Sequence, residues 1–131
     1  MDKRYAAVLF DLLTTLLDSW TVWNRVAGGE APGRRWRAAY LELTYGCGAY
    51  APYESLVAGF YKPHPAPYRL ALAELGLPAQ EVLFVAGSGF DLIGTARVGL
   101  DTYWHNRVGL ARPEATPAPL REAPTLEGLF S

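Results

Sequence analysis

The feature that most constrains this chain is a pair of short apolar runs, each ending at a polar turn. Residues 82–86 are apolar throughout and stop at the Gly-Ser-Gly of residues 87–89, while residues 5–10 are almost wholly apolar and stop at Asp11. Continuous apolar runs of this length are typical of parallel strands that helices cover on both faces. The two runs therefore predict an α/β fold built around a parallel sheet.

Helices are predicted between and after these strands. Asp18 offers an N-cap for a first helix that stops at Gly28, and a second, amphipathic helix runs from near Pro32 to Gly46. The other predicted elements are, in chain order, a loop over 46–67 with one helical turn at 54–58, helices over 68–76 and 91–98, a strand over 100–104 and a short helix over 125–130. Together they give about three core strands in a single domain over residues 1–131.

Composition narrows the partners and the compartment. The 131 residues are 50% apolar, enough for one core, and 12 basic against 13 acidic residues leave a net charge of −1. That balance gives no basic surface for nucleic acid or an anionic membrane. Cys47 is the single cysteine, so no intrachain disulfide forms, and Asp11 interrupts the first apolar run before it reaches the length of a signal or membrane span. We therefore expect a soluble, cytoplasmic protein with no nucleic-acid or membrane partner.

Two carboxylates fall where a parallel sheet binds its ligands. Asp11 follows the first predicted strand and Asp91 follows the turn after the second, so both lie at the carboxyl ends of strands. Lys62 comes from the loop between them, and two acids with a lysine suit nucleophilic displacement. Simpler interpretations stay open, since Asp91 may only cap the helix that follows and Lys62 may be a solvated loop residue.

Motifs in this order resemble those of the haloacid dehalogenase superfamily, closest to the (S)-2-haloacid dehalogenases. Residues 8–18 (VLFDLLTTLLD) resemble the first motif, whose leading Asp is the nucleophile. Residues 61–63 (YKP), with Tyr68 beyond them, resemble the third motif, and residues 84–91 (FVAGSGFD) resemble the fourth. Trp36-Arg37 resembles the helix that carries the halide-binding arginine. The resemblance implies a Rossmannoid parallel sheet with a helical cap.

The resemblance also implies an enzyme and a role for each matched residue. Asp11 would attack C2 of a small 2-haloalkanoic acid and form an ester that water hydrolyses. Lys62 would neutralise Asp11, and Asp91 would anchor Lys62 and orient the water. The predicted substrate contacts are Thr15, Arg37, Tyr68 and Ser88. Arg37 retains an alternative interpretation, in which it only shades the cap helix.

Two departures bear on metal chemistry. Leu13 stands where phosphatases of the superfamily carry a second acid, and Gly87 stands where the fourth motif has its first acid. A Mg²⁺ site would have only Asp11 and Asp91 as acidic ligands, a poor set for this ion. We therefore expect no metal site and no required cofactor, and place Mg²⁺-dependent phosphatase chemistry behind the other candidate functions.

The largest departure is a deletion near Ala58. Most of the cap and the strand ending in the second motif would lie there, so residues 19–58 are interpreted as a remnant cap. Without that strand one side of the first strand is unpaired and apolar surface is uncovered, which favours a homodimer or a swapped homo-oligomer. The deletion also favours an alternative function, a catalytically silent remnant that acts as an interaction or structural module.

Overall fold

A computed structural model of the chain describes residues 3–47 and 61–131, and its centre is a parallel sheet. The described strands are β1 (Ala7–Phe10), β2 (Val82–Ala86), β3 (Asp101–His105) and β4 (Arg121–Ala123), arranged in the order β1-β2-β3-β4. Every neighbouring pair is parallel, with Phe10 opposite Val85 and Ala86 opposite Trp104. The predicted parallel α/β architecture is confirmed.

Four helices flank or extend from this sheet in the described residues. They are α1 (Ser19–Ala27), α2 (Glu30–Cys47), α3 (Pro65–Leu75) and α4 (Asp91–Val98), and single 3₁₀ turns cover Ala79–Glu81 and Glu127–Leu129. Asp18 caps α1 as expected, because its Oδ1 accepts from the Thr21 amide, and Gly28 ends that helix in the left-handed region at φ 83°. The predicted turn at 54–58 lies outside the described residues.

The end of the chain differs from its prediction. The estimate of three strands was low by one, because β4 is only three residues long and is mostly exposed. Its Arg-Glu-Ala sequence carries no apolar run, so periodicity gives no signal for it. The helix predicted over 125–130 is instead the 3₁₀ turn Glu127–Leu129, whose Gly128 packs beneath the Tyr103 hydroxyl.

Strand β2 is the centre of the core. All five of its residues are buried, with Val82, Phe84 and Ala86 packed on one face against a set that includes Leu92 and Trp104. Leu83 and Val85 pack on the other face against Tyr103. This burial on both faces is what the continuous apolar run predicts.

Strand β1 does not follow that prediction. It forms the edge of the sheet, and Val8 and Phe10 remain 44% and 42% exposed. Among residues 3–47 and 61–131, no strand pairs with its outer edge. The expectation of cover on both faces was wrong for β1, because an apolar pattern does not reveal what packs on each face, whereas the unpaired edge predicted from the missing strand is present among the described residues. Exposure continues along the loop that follows, at Leu12, Leu13, Leu16 and Leu17.

Helices α1 and α2 pack on each other through aromatic rings. The centre of the Trp23 ring lies 4.5 Å from the centre of the Trp36 ring, in an edge-on arrangement, and 5.5 Å from the centre of the Tyr40 ring. This pair follows the loop after β1, so it is carried at the carboxyl end of the sheet. Within the described part of the chain, none of the helices has both the length and the hydropathy to cross a bilayer.

Candidate active site

The parallel register brings the two predicted acids to one edge of the sheet. Asp11 directly follows β1, and its backbone amide donates to the Val85 carbonyl at 2.9 Å, which extends the pairing with β2 by one residue. Asp91 is the first residue of α4, and its amide donates to the Ser88 carbonyl at 3.1 Å. The turn over 87–90 therefore connects the end of β2 directly to the second acid.

Lys62 lies between the two acids. Its Nζ is 2.7 Å from Asp11 Oδ1 and 3.1 Å from Asp91 Oδ1. The side chains of Asp11 and Asp91 are 18% and 3% exposed, while that of Lys62 is 35% exposed. Lys62 is therefore not a solvated loop residue. Nor is Asp91 a plain N-cap, because Phe90 holds the cap position of α4 and the Asp91 carboxylate binds side chains instead.

Burial and charge act against each other in this cluster. Burial of Lys62 opposes its charged form, but the carboxylates of Asp91 and Asp11 outweigh that effect and raise the pKa of Lys62. Burial raises the pKa of Asp91, against the opposing effects of Lys62 and the Tyr68 hydroxyl. One ammonium thus holds two carboxylates, and it keeps a proton more tightly than an exposed lysine would.

Tyr68 lies behind the acid. It is 2% exposed, and its hydroxyl donates a hydrogen bond to Asp91 Oδ1, the oxygen that also binds Lys62. The close approach depends on Gly94, since a Cβ there would fall 2.1 Å from Tyr68 Cε2. This placement differs from the direct substrate contact that we expected, and makes Tyr68 a partner of Asp91.

The loop after Asp11 packs two threonines against the turn after β2. Thr14 and Thr15 are 1% and 0% exposed, and neither hydroxyl has a hydrogen-bond partner among the described residues. Thr14 adopts a positive φ of 65°, a conformation that a β-branched residue rarely takes. A Cβ on Gly87 would lie 2.2 Å from Thr14 Oγ1 and 2.6 Å from Thr15 Oγ1. Glycine at position 87 therefore lets these hydroxyls approach the site.

His105 and Arg107 hold this loop, and sequence reasoning assigned neither of them a role. His105 Nδ1 lies 3.0 Å from the Thr15 carbonyl oxygen, and Arg107 Nη2 donates to the same oxygen at 3.2 Å. His105 is 4% exposed, with its Nε2 3.1 Å from the Pro124 carbonyl oxygen. Both residues lie at or just after the end of β3, far from Thr15 in sequence, so no local pattern indicated these contacts.

A cavity of about 550 Å³ opens between α1, α2 and the turn after β2. Ser88 lines it, and its Oγ accepts a hydrogen bond from the Phe90 amide at 3.3 Å. Arg37 lines the opposite wall, where its guanidinium lies 4.8 Å from the centre of the Trp20 ring. Arg37 is 8% exposed, so it is part of the cavity wall and does not shade a wet helix face.

The residues at the acids do not fit a magnesium ion. The Lys62 ammonium already binds one oxygen of Asp11 and one of Asp91, so a magnesium ion would have only two acidic ligands and would lie beside a positive charge. A carboxylate at position 87 would displace Thr14, because even a Cβ there is too close. Among residues 3–47 and 61–131, no three His, Cys, Asp or Glu side chains are grouped to hold a metal. A displacement by the Asp11 carboxylate needs no metal.

The raised pKa of Lys62 predicts a stability that depends on pH in alkaline solution. Its folded-state pKa lies above the ordinary value of 10.5, so its stabilisation is complete below that value and is lost as pH rises through the folded pKa. We expect the free energy of unfolding of the parent to approach that of Lys62→Met as pH increases in that window. Urea unfolding of both proteins at a series of alkaline pH values measures the difference, and a constant difference would contradict the prediction.

Comparison with known proteins finds haloacid dehalogenases among those similar to this chain. The (S)-2-haloacid dehalogenase 4A of Burkholderia cepacia is 41% identical over 61 residues, which are 47% of this chain and 26% of that protein. The crystal structure of an L-2-haloacid dehalogenase matches with a TM-score of 0.51 and 35% identity, over 54% of this chain and 31% of that one. No family model matches the chain.

A further solved structure, described as a dehalogenase, matches over 99% of this chain and 97% of its own, with a TM-score of 0.72 and 20% identity. At that identity the match concerns the fold alone. The fold is therefore that of the haloacid dehalogenase-like proteins. Within that class the chain is similar to the (S)-2-haloacid dehalogenases, although it spans only about a quarter of the curated relative it matches.

Proposed function

We propose that this chain is a haloacid dehalogenase-like hydrolase, which displaces halide from a 2-haloalkanoic acid by attack of the Asp11 carboxylate. The observation that carries the proposal is the position of Lys62, bound to both Asp11 and Asp91 at the carboxyl ends of the strands. The arrangement keeps a carboxylate nucleophile paired and oriented at the carboxyl end of the sheet. The similarity to (S)-2-haloacid dehalogenases supports the same chemistry.

The first step would form an ester on the enzyme. Lys62 holds Asp11 Oδ1, so we assign the attack to Oδ2. A C–O bond forms at C2 of the substrate while the carbon–halogen bond breaks on the opposite side, and the halogen leaves with the bonding electron pair. Configuration at C2 is inverted. Arg37 supplies positive charge for the departing halide, and the Thr15 and Ser88 hydroxyls supply hydrogen bonds to the substrate or the nucleophile.

The second step would hydrolyse the ester. A water that Asp91 orients attacks the carbonyl carbon of the Asp11 ester, and the bond from that carbon to the alkyl oxygen breaks. One proton of the water goes to the leaving oxygen, giving a 2-hydroxy acid, and the other is released to solvent. Tyr68 and Lys62 hold Asp91 in place for this role by binding its Oδ1.

The direct test is halide release from (S)-2-chloropropionate by the purified protein in the presence of a chelator. Ion chromatography should detect chloride in proportion to enzyme and time. A folded protein that releases no chloride would contradict the proposal. Release that requires added Mg²⁺ would contradict the cofactor-free mechanism.

We also propose that two copies associate through the edge of β1. Val8 and Phe10 are exposed on that strand, and Phe130 beside them is 88% exposed. An unpaired edge strand with apolar side chains is a surface that other chains can cover. A second copy brings an identical edge, so the contact can be closed by a two-fold axis.

Charging this edge is expected to separate the copies. Phe10→Lys places an ammonium in the proposed contact, and light scattering should show the mass falling from that of a dimer to that of a monomer. Leu43→Lys is the matched control, because Leu43 is 73% exposed on α2 and should leave the mass unchanged. A parent protein that is monomeric across a concentration series would refute the association.

The exposed face also favours the second candidate function, a catalytically silent interaction module. We assign α1 and α2 to the remnant of the cap predicted over 19–58, of which residues 48–58 lie outside the described part. If the missing cap and second motif leave the site inactive, the folded protein should associate with other chains but should release no halide from the substrate. Phosphatase chemistry has less support, because Leu13 is 56% exposed in place of the expected acid and Mg²⁺ does not fit.

A further inference from the structure

We propose that the acid taken by this site carries an aryl or long alkyl group, which lies in the cavity between α1, α2 and residues 110–113. The inference rests on the proposed function for the reacting end of the substrate. It concerns the other end of the substrate, which the similarity to the (S)-2-haloacid dehalogenases does not specify. The size and the lining of the cavity favour such a group.

The cavity is larger than a small haloacid needs. Its volume is about 550 Å³. A three-carbon haloacid occupies on the order of 200 Å³ if each of its heavy atoms takes the volume of one water molecule in the liquid, about 30 Å³. Cavities of about 300–1,000 Å³ are typical of the sites that bind drug-sized ligands. A three-carbon substrate would leave most of this apolar space filled with water.

The lining is suited to an apolar group with flat faces. Trp20 and Trp104 contribute indole rings, Phe90 contributes a third aromatic ring, and Leu110 and Pro113 close the side formed by the segment after β3. Trp20 and Trp104 are 8% and 1% exposed, so their packing fixes them in place. Aromatic rings that are already ordered bind another ring with little further loss of side-chain entropy.

Three charged side chains, Arg34, Arg37 and Glu42, also line the cavity. Arg34 and Arg37 are one turn apart on α2, and both line the wall. Arg34 is paired with Glu30 at 2.9 Å, and Glu42 also reaches the rim, whereas Arg37 is buried against the Trp20 ring. A guanidinium that already lies against one aromatic ring can also lie against an aryl tail.

The turn after β2 connects the cavity to the loop that carries Asp11. Gly87 and Ser88 form part of its wall, and the Thr14 and Thr15 hydroxyls from the Asp11 loop approach Gly87. The Asp11 amide is bonded to the Val85 carbonyl, two residues before that glycine. A substrate with its C2 at Asp11 can thus extend its tail along the turn and into the cavity.

Binding of unreactive acids tests the inference without turnover. Calorimetry should show 4-phenylbutanoate binding at least about tenfold more tightly than butanoate, since burial of a ring adds apolar contact area. Ala38→Trp fills the cavity and should remove the preference, whereas Ala39→Trp, on the adjacent exposed position outside the lining, should retain it.

A second assay separates this inference from the proposed function. Halide release is compared for 2-bromo-4-phenylbutanoate and 2-bromobutanoate, and the aryl substrate should have the higher kcat/KM. Release from 2-bromobutanoate with no preference for the phenyl acid in either assay would overturn the inference and leave the proposed function standing. Tight binding of 4-phenylbutanoate that Ala38→Trp removes, with no halide release, would support the ligand class and overturn the proposed function.

Discussion

Asp11→Asn should reduce halide release by at least about a thousandfold, because the neutral amide is not a nucleophile at C2. The side chain keeps its size, and the backbone amide of residue 11 still donates to the Val85 carbonyl. The loss should therefore appear in kcat, with little change in the circular dichroism spectrum. Chloride release by parent and variant under identical conditions measures it.

Asp18→Asn is the control for this substitution. Asp18 is on the same loop, but its carboxylate caps α1 by accepting from Thr21, and Asn is an equally good N-cap. That variant should retain both its helix content and its halide release. Equal losses in the two variants would mean that the loop had been disrupted and that Asp11 has no special chemical role.

Lys62→Met should have the largest effect on stability. It removes the ammonium that pairs with Asp11 and Asp91, and leaves two carboxylates facing each other, one of them 3% exposed. We expect a loss of about 2–4 kcal/mol in the free energy of unfolding, below the value for fully buried pairs because a third of the lysine side chain is exposed. Halide release should also fall, since the nucleophile loses its partner.

Two further variants distinguish the cause of that loss. Lys62→Met combined with Asp91→Asn removes one of the repelling charges and should recover part of the stability without restoring halide release. Lys3→Met breaks an exposed pair with Asp101 at 2.8 Å and should cost less than about 1 kcal/mol. If Lys62→Met were no more costly than Lys3→Met in urea unfolding, the pairing would not hold the site together.

Local patterns predicted the elements that have strong local signals. The apolar run of β2 indicated its burial on both faces, and Asp18 and Gly28 indicated both ends of α1. Strand β4 was missed because its stability comes from pairing with β3, a contact that its own three residues do not reveal. The apolar pattern of β1 alone predicted cover on both faces, whereas the missing strand of the second motif correctly predicted that one edge of β1 is unpaired among the described residues.

The same distinction between local signals and contacts of distant residues applies to the site. The positions of Asp11 and Asp91 after two strands predicted that they lie at one edge of the sheet, because parallel strands align their carboxyl ends. The contact of Lys62 with Asp11 was implied by the family resemblance, since a loop position alone left Lys62 open to a solvated role. The contacts of His105 and Arg107 with the Thr15 carbonyl join residues 90 and 92 apart in sequence. Tyr68 was predicted to contact the substrate. In the structure its ring packs against Gly94 and its hydroxyl donates to Asp91.

Mass spectrometry after turnover in water enriched in oxygen-18 tests the central claim most directly. If Asp11 forms the ester, the water oxygen enters the Asp11 carboxylate first, and the peptide containing residue 11 should gain the mass of the heavy isotope during repeated turnover of (S)-2-chloropropionate. The same peptide from Asp11→Asn should remain unlabelled. Halide release with heavy oxygen in the 2-hydroxy acid from the first turnover, and none in the Asp11 peptide, would mean that water attacks the substrate directly and would contradict the account.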